Sequence, residues 1–365
     1  MSYRSRKTQA IINISALKNN YQELASIAPH SKTIAVIKAN AYGHGVIEVA
    51  KSLHALVPAF AVAFIDEAIM LREVGITVPI LILEGPLDKE DFSLAKHHNF
   101  WLMLHNPQQV SWLNKIEPSY KEQLWLKVDT GMNRLGFPPE YAEKVIKSLT
   151  EKQKETLVLC SHFSNADEIE NPKTDTQIKC LKALANKYSS PFSLANSAGI
   201  INWPQSHANF NRLGIALYGA NPTKNKKTAL KLDPVMTLQS SIIALRKVKL
   251  GDSVGYGETW QAKQPSIIAT VAIGYADGYP RNAQAGTPVF INGQLAPIAG
   301  RVSMDMITVD VTDIEKVNLG DLVELWGENL KVETVAKYMN TINYELLTRV
   351  SDRVPKVYVD EHFSE

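Results

Sequence analysis

The chain has 365 residues, of which 45% are hydrophobic and 21% are charged, and its formal net charge is +2 at pH 7. This length exceeds the size at which one hydrophobic core stops growing, so we expect a globular protein of two domains. A near-neutral chain with no block of Lys and Arg and no aromatic-basic stripe does not resemble a nucleic-acid-binding protein. We therefore expect a soluble enzyme with no nucleic-acid partner.

Membrane, metal and export functions find no support in the sequence. The longest apolar stretch, at 57–65, is far shorter than the about 20 residues that cross a bilayer. The basic start at 1–7 is not followed by the continuous apolar segment of a signal peptide. The two cysteines, Cys160 and Cys180, have no metal-ligand spacing and suit a reducing compartment. We expect a cytoplasmic protein with no membrane partner and no metal ion.

Strand-like apolar runs alternate with helix-length amphipathic stretches over the first two thirds of the chain. The predicted strands are Ile34–Ile37, Ala59–Phe64, Pro79–Leu83, Phe100–Leu104, Leu124–Val128, Leu157–Cys160, Pro191–Ala195 and Arg212–Tyr218. The predicted helices between them include Val46–Leu56, Ile65–Val74, Pro139–Thr150 and Thr174–Tyr188. Eight such units in about 220 residues predict a (β/α)8 barrel.

The pattern changes after Tyr218, where a segment rich in Lys and Thr, 221–231, marks a boundary. Beyond it, short β-rich runs are separated by Gly, Asp and Asn turns, which is typical of a smaller β domain. These runs are Met236–Val248, Ile267–Ile273, Pro288–Ile291, Met306–Val311 and Leu322–Leu325. We predict an α/β barrel domain at 1–225 and an all-β C-terminal domain at 226–365. A first strand at 9–14 could pair with either.

Several predicted barrel strands end in polar side chains, and these strand ends meet at the face of a barrel where active sites form. The most informative is Lys38, which ends the apolar run 34–37 and precedes the loop 39–45 with its two glycines. A buried strand that delivers an amine to this face is typical of a Schiff-base lysine. A solvated surface lysine is the alternative interpretation of the pattern alone.

Together with the segments 127–136, 161–167, 211–219 and 254–258, the Lys38 segment resembles the alanine racemases, which use pyridoxal phosphate. The resemblance covers essentially the whole chain. It implies interconversion of L- and D-alanine, supply of D-alanine for peptidoglycan, and a homodimer whose active sites are shared between subunits. It also implies pyridoxal 5'-phosphate as the cofactor.

The resemblance assigns most cofactor contacts to the barrel. Lys38 would bind the cofactor covalently and then act as a base at the substrate Cα. His162 would stack on the ring, and Arg212 would face the pyridine nitrogen without readily protonating it, which limits side reactions. A core histidine and a structural salt bridge are the alternatives for these two residues. The remaining cofactor contacts, to the phosphate, would be Tyr42, Ser197, Gly214, Ile215 and Tyr344.

Racemisation removes a proton from one face of Cα and returns it to the other, so a second acid-base group is needed opposite Lys38. The resemblance assigns this role to Tyr256, which would enter the site from the partner subunit. Because a tyrosine hydroxyl ordinarily keeps its proton at neutral pH, it needs a cationic neighbour. The candidates for that neighbour are Arg134 and His162.

The resemblance also places residues around the substrate. Arg134 would bind its carboxylate together with the backbone of Met304 from the partner subunit, and Lys127 stands where many relatives have a carbamylated lysine. Ser303 occupies a position where relatives often have cysteine. The corridor that leads to the site would be lined by Asp167, Tyr275, Arg281 and Arg301.

Three other functions fit parts of the pattern. A broad-specificity amino-acid racemase is commonly exported, and the chain shows no signal peptide. A decarboxylase on the same plan places an acidic residue at the ring nitrogen, where this chain has Arg212. A non-catalytic pyridoxal phosphate carrier has a single barrel, whereas this chain has Tyr256 and Met304 in a second domain.

Overall fold

The structure is a computed structural model that describes residues 6–116, 120, 122–223 and 230–360. The elements up to residue 223 are β1 (Gln9–Asn13), α1 (Ile14–Ser26), β2 (Lys32–Val36), α2 (Lys38–Tyr42), α3 (Val46–Leu53), β3 (Phe60–Val62), α4 (Ile65–Glu73), β4 (Ile80–Ile82), α5 (Glu90–His97), β5 (Trp101–Leu104), α6 (Pro107–Ile116), β6 (Leu124–Lys127), α7 (Pro139–Ser148), α8 (Glu151–Glu155), β7 (Val158–Cys160), α9 (Lys173–Tyr188), β8 (Phe192–Ser193), α10 (Ser197–Asn202) and β9 (Phe210–Leu213). Short 3₁₀ turns follow at Pro204–Ser206 and Ile215–Tyr218.

Strands β2 to β9 close into a parallel barrel, in which β9 pairs with β2. Most strand residues are buried because helices cover the outside of the barrel and side chains fill its interior. The interior is packed with large rings such as Trp125 and Phe210, whose centroids lie 5.1 Å apart. The predicted (β/α)8 barrel is confirmed.

The eighth barrel strand differs from its prediction at 212–218. It runs over Phe210–Leu213, and the apolar residues that follow form the 3₁₀ turn Ile215–Tyr218. The turn residues are buried like a strand, so an apolar run alone does not distinguish the two structures. The shift places Arg212 inside the last barrel strand rather than at its start.

The second domain is built on an eight-stranded sheet with the order β15-β14-β17-β10-β1-β18, to which β13 and β16 are added through β10. Its elements are β10 (Met236–Val248), β11 (Ser253–Val254), β12 (Trp260–Gln261), β13 (Ser266–Val271), β14 (Pro288–Ile291), β15 (Gln294–Pro297), β16 (Ile307–Asp310), β17 (Leu322–Trp326), α11 (Val332–Tyr338), α12 (Asn343–Thr348) and β18 (Lys356–Val359). Further 3₁₀ turns lie at Tyr256–Glu258 and Tyr275–Asp277. The two helices are additions to the predicted β domain.

The first strand belongs to this second sheet. Strand β1 pairs antiparallel with β10 and parallel with β18, so its alternating buried residues pack in the C-terminal domain. The range predicted for the barrel domain, 1–225, therefore includes a strand that the barrel does not use. The predicted boundary at 225 and 226 lies outside the described residues, as do residues 1–5.

Candidate active site

The carboxyl ends of the barrel strands open on a cavity of about 530 Å³. Parallel strands deliver the side chains that follow them to one face, which brings together residues that are far apart in sequence. Among the lining residues are Lys38, Tyr42, Glu84, Lys127, Arg134, His162, Ser197, Arg212, Gly214, Ile215 and Tyr344. Ten of these eleven were predicted from the sequence as site residues, and the structure places those ten around one cavity.

Lys38 begins a left-handed helical turn, α2. The four residues from Ala39 to Tyr42 have φ angles of 52–53°, a conformation that costs about 1–2 kcal/mol per residue without glycine. The backbone N–H of Ala39 donates to Glu67 at 2.7 Å, and that of Gly43 donates to the Ala39 carbonyl at 3.1 Å. Such strain is maintained at functional sites by surrounding contacts. Here the turn lets Lys38 and Tyr42 line the same cavity.

A cradle of hydroxyl groups lies at one side of the cavity. The Ser197 Oγ accepts the backbone N–H groups of Gly214 at 3.0 Å and Ala216 at 3.3 Å, so its own hydrogen can be donated to a bound group. A Cβ atom at Gly214 would lie only 2.9 Å from the Tyr42 Oη. Tyr42 is buried and stacks on Tyr218 at 4.9 Å, and burial raises its pKa, so it keeps its proton. The cradle therefore suits an anion such as a phosphate.

Tyr344 adds a third hydroxyl from the C-terminal domain. It lies in α12, and its ring centroid is 6.1 Å from that of Tyr42. Burial, followed by the charge of Asp167, raises the pKa of Tyr344 to about 12. The group is thus a proton donor at neutral pH, and the domain contributes to the cavity of its own chain.

Arg212 is buried, and among the described residues its guanidinium contacts only neutral acceptors. It donates to the Ser193 Oγ at 2.5 Å, the Ser161 carbonyl at 2.7 Å and the Leu194 carbonyl at 3.3 Å. One of its nitrogens also lies 3.5 Å from the His162 Nδ1. Carbonyl and hydroxyl oxygens fix the orientation of the group without neutralising it. A permanent positive charge therefore faces the cavity.

His162 is neutral in this site. Burial, together with the positive charges of Lys127, Arg212 and Arg134, holds its pKa well below the usual range. Arg134 and His162 were the two predicted candidates for the cationic neighbour of Tyr256. A neutral imidazole carries no positive charge, so His162 does not suit this role. Arg134 remains the candidate.

The loop that carries Arg134 is held at both ends. At its base, the Phe137 N–H donates to the Lys127 carbonyl and the Asp129 N–H donates to the Phe137 carbonyl, each at 2.9 Å. At its tip, the Asp129 Oδ1 accepts three backbone N–H groups, from Gly131 at 2.9 Å, Met132 at 3.0 Å and Asn133 at 3.1 Å. These bonds aim an exposed Arg134 at the cavity.

Lys127 lines the same cavity as Arg134, and its pKa is lowered there. Burial, together with the charges of Arg212 and Arg134, lowers its pKa to about 8 against the opposing effects of Cys160 and Glu84. Desolvation of an ammonium without a close carboxylate is the main cause. A lysine that loses its proton near pH 8 has a neutral amine available, which is the form that can be carbamylated.

Glu84 is a charged lining residue that sequence analysis missed. Its Oε1 lies 3.9 Å from the Lys38 Nζ, and its carbonyl accepts a contact from the His105 Nε2 at 2.8 Å. The signal was present in the sequence, because Glu84 directly follows a predicted strand, as Lys38 does.

Six of the predicted site residues do not line this cavity. Tyr256 and Met304 are 67% and 53% exposed on the C-terminal domain, and neither lines the cavity of its own chain. Tyr275, Arg281 and Arg301 lie on the same domain, where the Arg281 guanidinium stands 6.0 Å from the Tyr275 ring. Asp167 instead lines an adjoining cavity of about 780 Å³, which shares Tyr344 with the first.

Two family models match the chain over nearly its whole length. The model described as alanine racemase, N-terminal domain, matches residues 12–222, and the model described as alanine racemase, C-terminal domain, matches residues 235–358. The chain belongs to the alanine racemase family. Alanine racemases are isomerases, and the match to both domains favours neither the decarboxylase nor the single-barrel carrier.

Individual alanine racemases agree with this assignment. The alanine racemase of Alteromonas mediterranea is 47% identical over 97% of this chain and 99% of its own length. The crystal structure of biosynthetic alanine racemase from Pseudomonas aeruginosa has a TM-score of 0.94 and 42% identity, covering 97% of this chain and 99% of that one. An alanine racemase from Bartonella henselae, described with covalently bound pyridoxal phosphate, has a TM-score of 0.88 and 32% identity, covering 96% and 99%.

The described residues were also examined for membrane-spanning helices and for clusters of metal ligands. Among the described residues, no helix is long and apolar enough to cross a membrane. Within the same part of the chain, no three His, Cys, Asp or Glu side chains cluster as they would around a metal ion.

Proposed function

We propose that this chain racemises alanine with pyridoxal 5'-phosphate bound at Lys38, as a homodimer, and supplies D-alanine for peptidoglycan. One observation carries the proposal: a lysine at a barrel strand end shares a cavity with an anion cradle and with a buried arginine that has only neutral partners. Membership of the alanine racemase family supports the reaction. The Bartonella henselae relative supports the cofactor.

The residues fit this cofactor. Its phosphate would be held by Tyr42, Ser197 and Tyr344 and by the backbone at Gly214 and Ile215, where the missing Cβ of Gly214 leaves room beside the Tyr42 hydroxyl. When bound, pyridoxal phosphate supplies a conjugated ring that acidifies the Cα–H of an amino acid attached to it.

Arg212 and His162 would set the behaviour of the ring. Arg212 donates hydrogen bonds but does not give up a proton, so it would leave the pyridine nitrogen unprotonated and limit delocalisation of charge from Cα. Weak delocalisation favours return of the proton over other reactions such as transamination. A neutral His162 adds no further charge at the ring face.

Lys38 would hold or move the proton on one face of Cα, that of the D-enantiomer. The Glu84 carboxylate, at 3.9 Å from the Lys38 Nζ, stabilises the ammonium once the proton has been taken up. Covalent attachment and proton transfer thus use one nitrogen.

Tyr256 would serve the opposite face, that of the L-enantiomer. Its exposure and its absence from the lining of its own chain's cavity support a role in the cavity of a partner subunit. Arg134 would bind the substrate carboxylate there with the Met304 backbone of the partner. Arg134 would also supply the cationic neighbour that a tyrosine base requires. A monomer would lack half of the acid-base machinery.

Three finer points complete the proposal. Carbamylation of Lys127 would turn a desolvated amine into an anion beside Arg134 and so hold the guanidinium. Asp167, Tyr275, Arg281 and Arg301 would line the corridor to the site, which Tyr256 and Tyr344 would narrow to small side chains. We also expect a cytoplasmic location, and the similarity to the biosynthetic alanine racemase from Pseudomonas aeruginosa supports it.

The first test incubates the purified protein with L-alanine and follows D-alanine by chiral chromatography, while the visible absorbance of the cofactor is recorded. Lys38→Ala should abolish both D-alanine and the band of the covalently held cofactor, whereas exposed Lys51→Ala should change neither. Unchanged racemisation in Lys38→Ala would contradict the assignment of the base. Comparable rates on alanine, serine and lysine would favour a broad-specificity racemase instead.

A further inference from the structure

A buried glutamine on the outer helix layer connects two segments of the site. Gln177 lies in α9 and is fully buried. Its amide nitrogen donates to the His162 carbonyl at 2.9 Å and to the Thr130 Oγ1 at 3.2 Å. Its amide oxygen accepts the Ser164 N–H at 3.1 Å and the Ser164 hydroxyl at 3.3 Å. Both ends of the amide are thus fully used by backbone or hydroxyl groups beside the site.

Thr130 extends this connection to the ring side of the cavity. Its Oγ1 lies 2.7 Å from the Ser161 Oγ, so one hydroxyl donates to the other. The Ser161 carbonyl in turn accepts the Arg212 guanidinium at 2.7 Å. Thr130 and Ser161 are both buried. A continuous chain of hydrogen bonds therefore runs from α9 through the loop of Arg134 to Arg212.

We propose that Thr130, Ser161 and Gln177, here named the Gln177 clamp, are positioning residues that fix the Arg134 loop against the His162 segment. The inference rests on the proposed function, because it takes Arg134 as the group that binds the substrate carboxylate and His162 as the group that stacks on the cofactor ring. The clamp sets the spacing between these two groups.

The need for such a clamp follows from how the Arg134 loop is held. The bonds of Asp129 and Phe137 fix the internal shape of the loop, but both lie within the loop and its base. Thr130 carries a side-chain link from the loop to the neighbouring strand end and to α9. Since displacement of a binding group by about 1 Å can lower catalysis by about 100-fold, a clamp at this point affects the reaction without touching substrate.

Two substitutions at Thr130 separate hydrogen bonding from packing. Thr130→Val keeps the shape and removes the hydroxyl, whereas Thr130→Ser keeps the hydroxyl and removes a methyl group. The clamp predicts that Thr130→Ser stays close to the unmodified protein, while Thr130→Val raises KM for alanine more than it lowers kcat. The fall in kcat/KM should reach up to about 100-fold. A packing role predicts the reverse ranking, which would overturn the proposal.

Gln177→Leu should disturb both segments. We expect a higher KM together with an altered circular dichroism of the cofactor band, because the His162 carbonyl loses its donor. Thr174→Val is the matched control, since Thr174 lies three residues earlier in α9, is buried, and its hydroxyl has no partner among the described residues. If Thr174→Val gave the same changes, general damage to α9 would explain them and the clamp would be wrong.

A readout without substrate keeps this test apart from that of the proposed function. Backbone amide exchange of residues 131–133 in the purified full chain should quicken several-fold in Thr130→Val and stay unchanged in Thr130→Ser. Equal exchange in both variants would overturn the clamp even if the protein racemises alanine. Faster exchange only in Thr130→Val would support it even if the substrate proved to be another amino acid.

Discussion

The mouth of the barrel is the end where the strands open on the cavity. It differs from the exposed turn Tyr256–Glu258 of the C-terminal domain in how far its functional side chains are buried and held by hydrogen bonds. At the mouth, Arg212 and Ser197 are buried and hydrogen-bonded to fixed partners. At the turn Tyr256–Glu258, between the two-residue strands β11 and β12, Tyr256 is two-thirds exposed. Binding groups are thus preorganised in one chain, while the second proposed acid-base group points outward. Under the proposed two-base assignment, the full site would form only in an assembly.

Other exposed side chains of the C-terminal domain fit the proposed assembly. Several of them are large and apolar or aromatic, and an isolated chain leaves them in water. They include Tyr256, Tyr275, Met304, Met306 and Ile342. A second copy of the chain would cover them in the proposed homodimer.

The largest expected effect comes from removing the outward-facing hydroxyl. Tyr256→Phe should bind the cofactor normally, because the barrel mouth is untouched, yet lose racemisation by about 100-fold or more, the usual contribution of a general acid or base. Turnover and cofactor absorbance are measured on the same sample. Unchanged turnover would refute the two-base assignment.

Mixing two inactive variants tests the sharing of sites directly. After joint unfolding and refolding, Lys38→Ala and Tyr256→Phe chains should form mixed dimers in which one of two sites has both bases. Equal amounts should recover roughly a quarter of the unmodified activity. The control mixes Tyr256→Phe with the double variant Lys38→Ala/Tyr256→Phe, which should recover nothing. No recovery in the first mixture would place both bases in one chain.

The sequence predicted most of the barrel because its strands are buried on both faces and are read as continuous apolar runs. Lys38 and Arg134 were identified from motifs, and the structure places both at the predicted face. The limits of β10 and β14 were also predicted correctly, since turns bound these strands.

Other features depend on contacts that a local pattern does not contain. The left-handed turn after Lys38 has alanines where glycine would be expected, and bonds such as that from Ala39 to Glu67 maintain it. Strand β1 reaches its sheet through partners more than 200 residues away. Gln177 is one of many polar residues in an amphipathic helix, and only the fold shows that it is buried.

An effect of intermediate size is expected from Lys127, on how the free energy of unfolding depends on pH. Unfolded lysine keeps its proton to about pH 10.5, whereas the folded group loses it near pH 8. Between these values the unfolded state binds more protons, so the free energy of unfolding should rise with pH, by at most about 3 kcal/mol. Urea unfolding in buffer free of carbon dioxide should show this rise, and Lys127→Met should lack it.

A control variant and added bicarbonate test whether the Lys127 amine is free or carbamylated. Lys51→Met, at an exposed lysine, should keep the rise, because Lys127 is unchanged in that variant. A flat profile in the unmodified protein would show that Lys127 carries no titrating amine, as expected of a carbamate. Where the profile does rise, added bicarbonate should flatten it in the unmodified chain and leave that of Lys127→Met as it is.

The smallest effect is expected at the anion cradle, where Ser197 is already hydrogen-bonded to the backbone of its own chain. Gly214→Ala would place a Cβ 2.9 Å from the Tyr42 Oη, so the hydroxyl must move and the affinity for pyridoxal phosphate should fall about tenfold, or ~1.4 kcal/mol. Tyr42→Phe removes that hydroxyl, so Gly214→Ala should cost less affinity in its presence. Titration of the cofactor into the unmodified protein, the two single variants and the double variant Tyr42→Phe/Gly214→Ala measures this coupling. Additive losses would mean that the added methyl group acts elsewhere than on Tyr42.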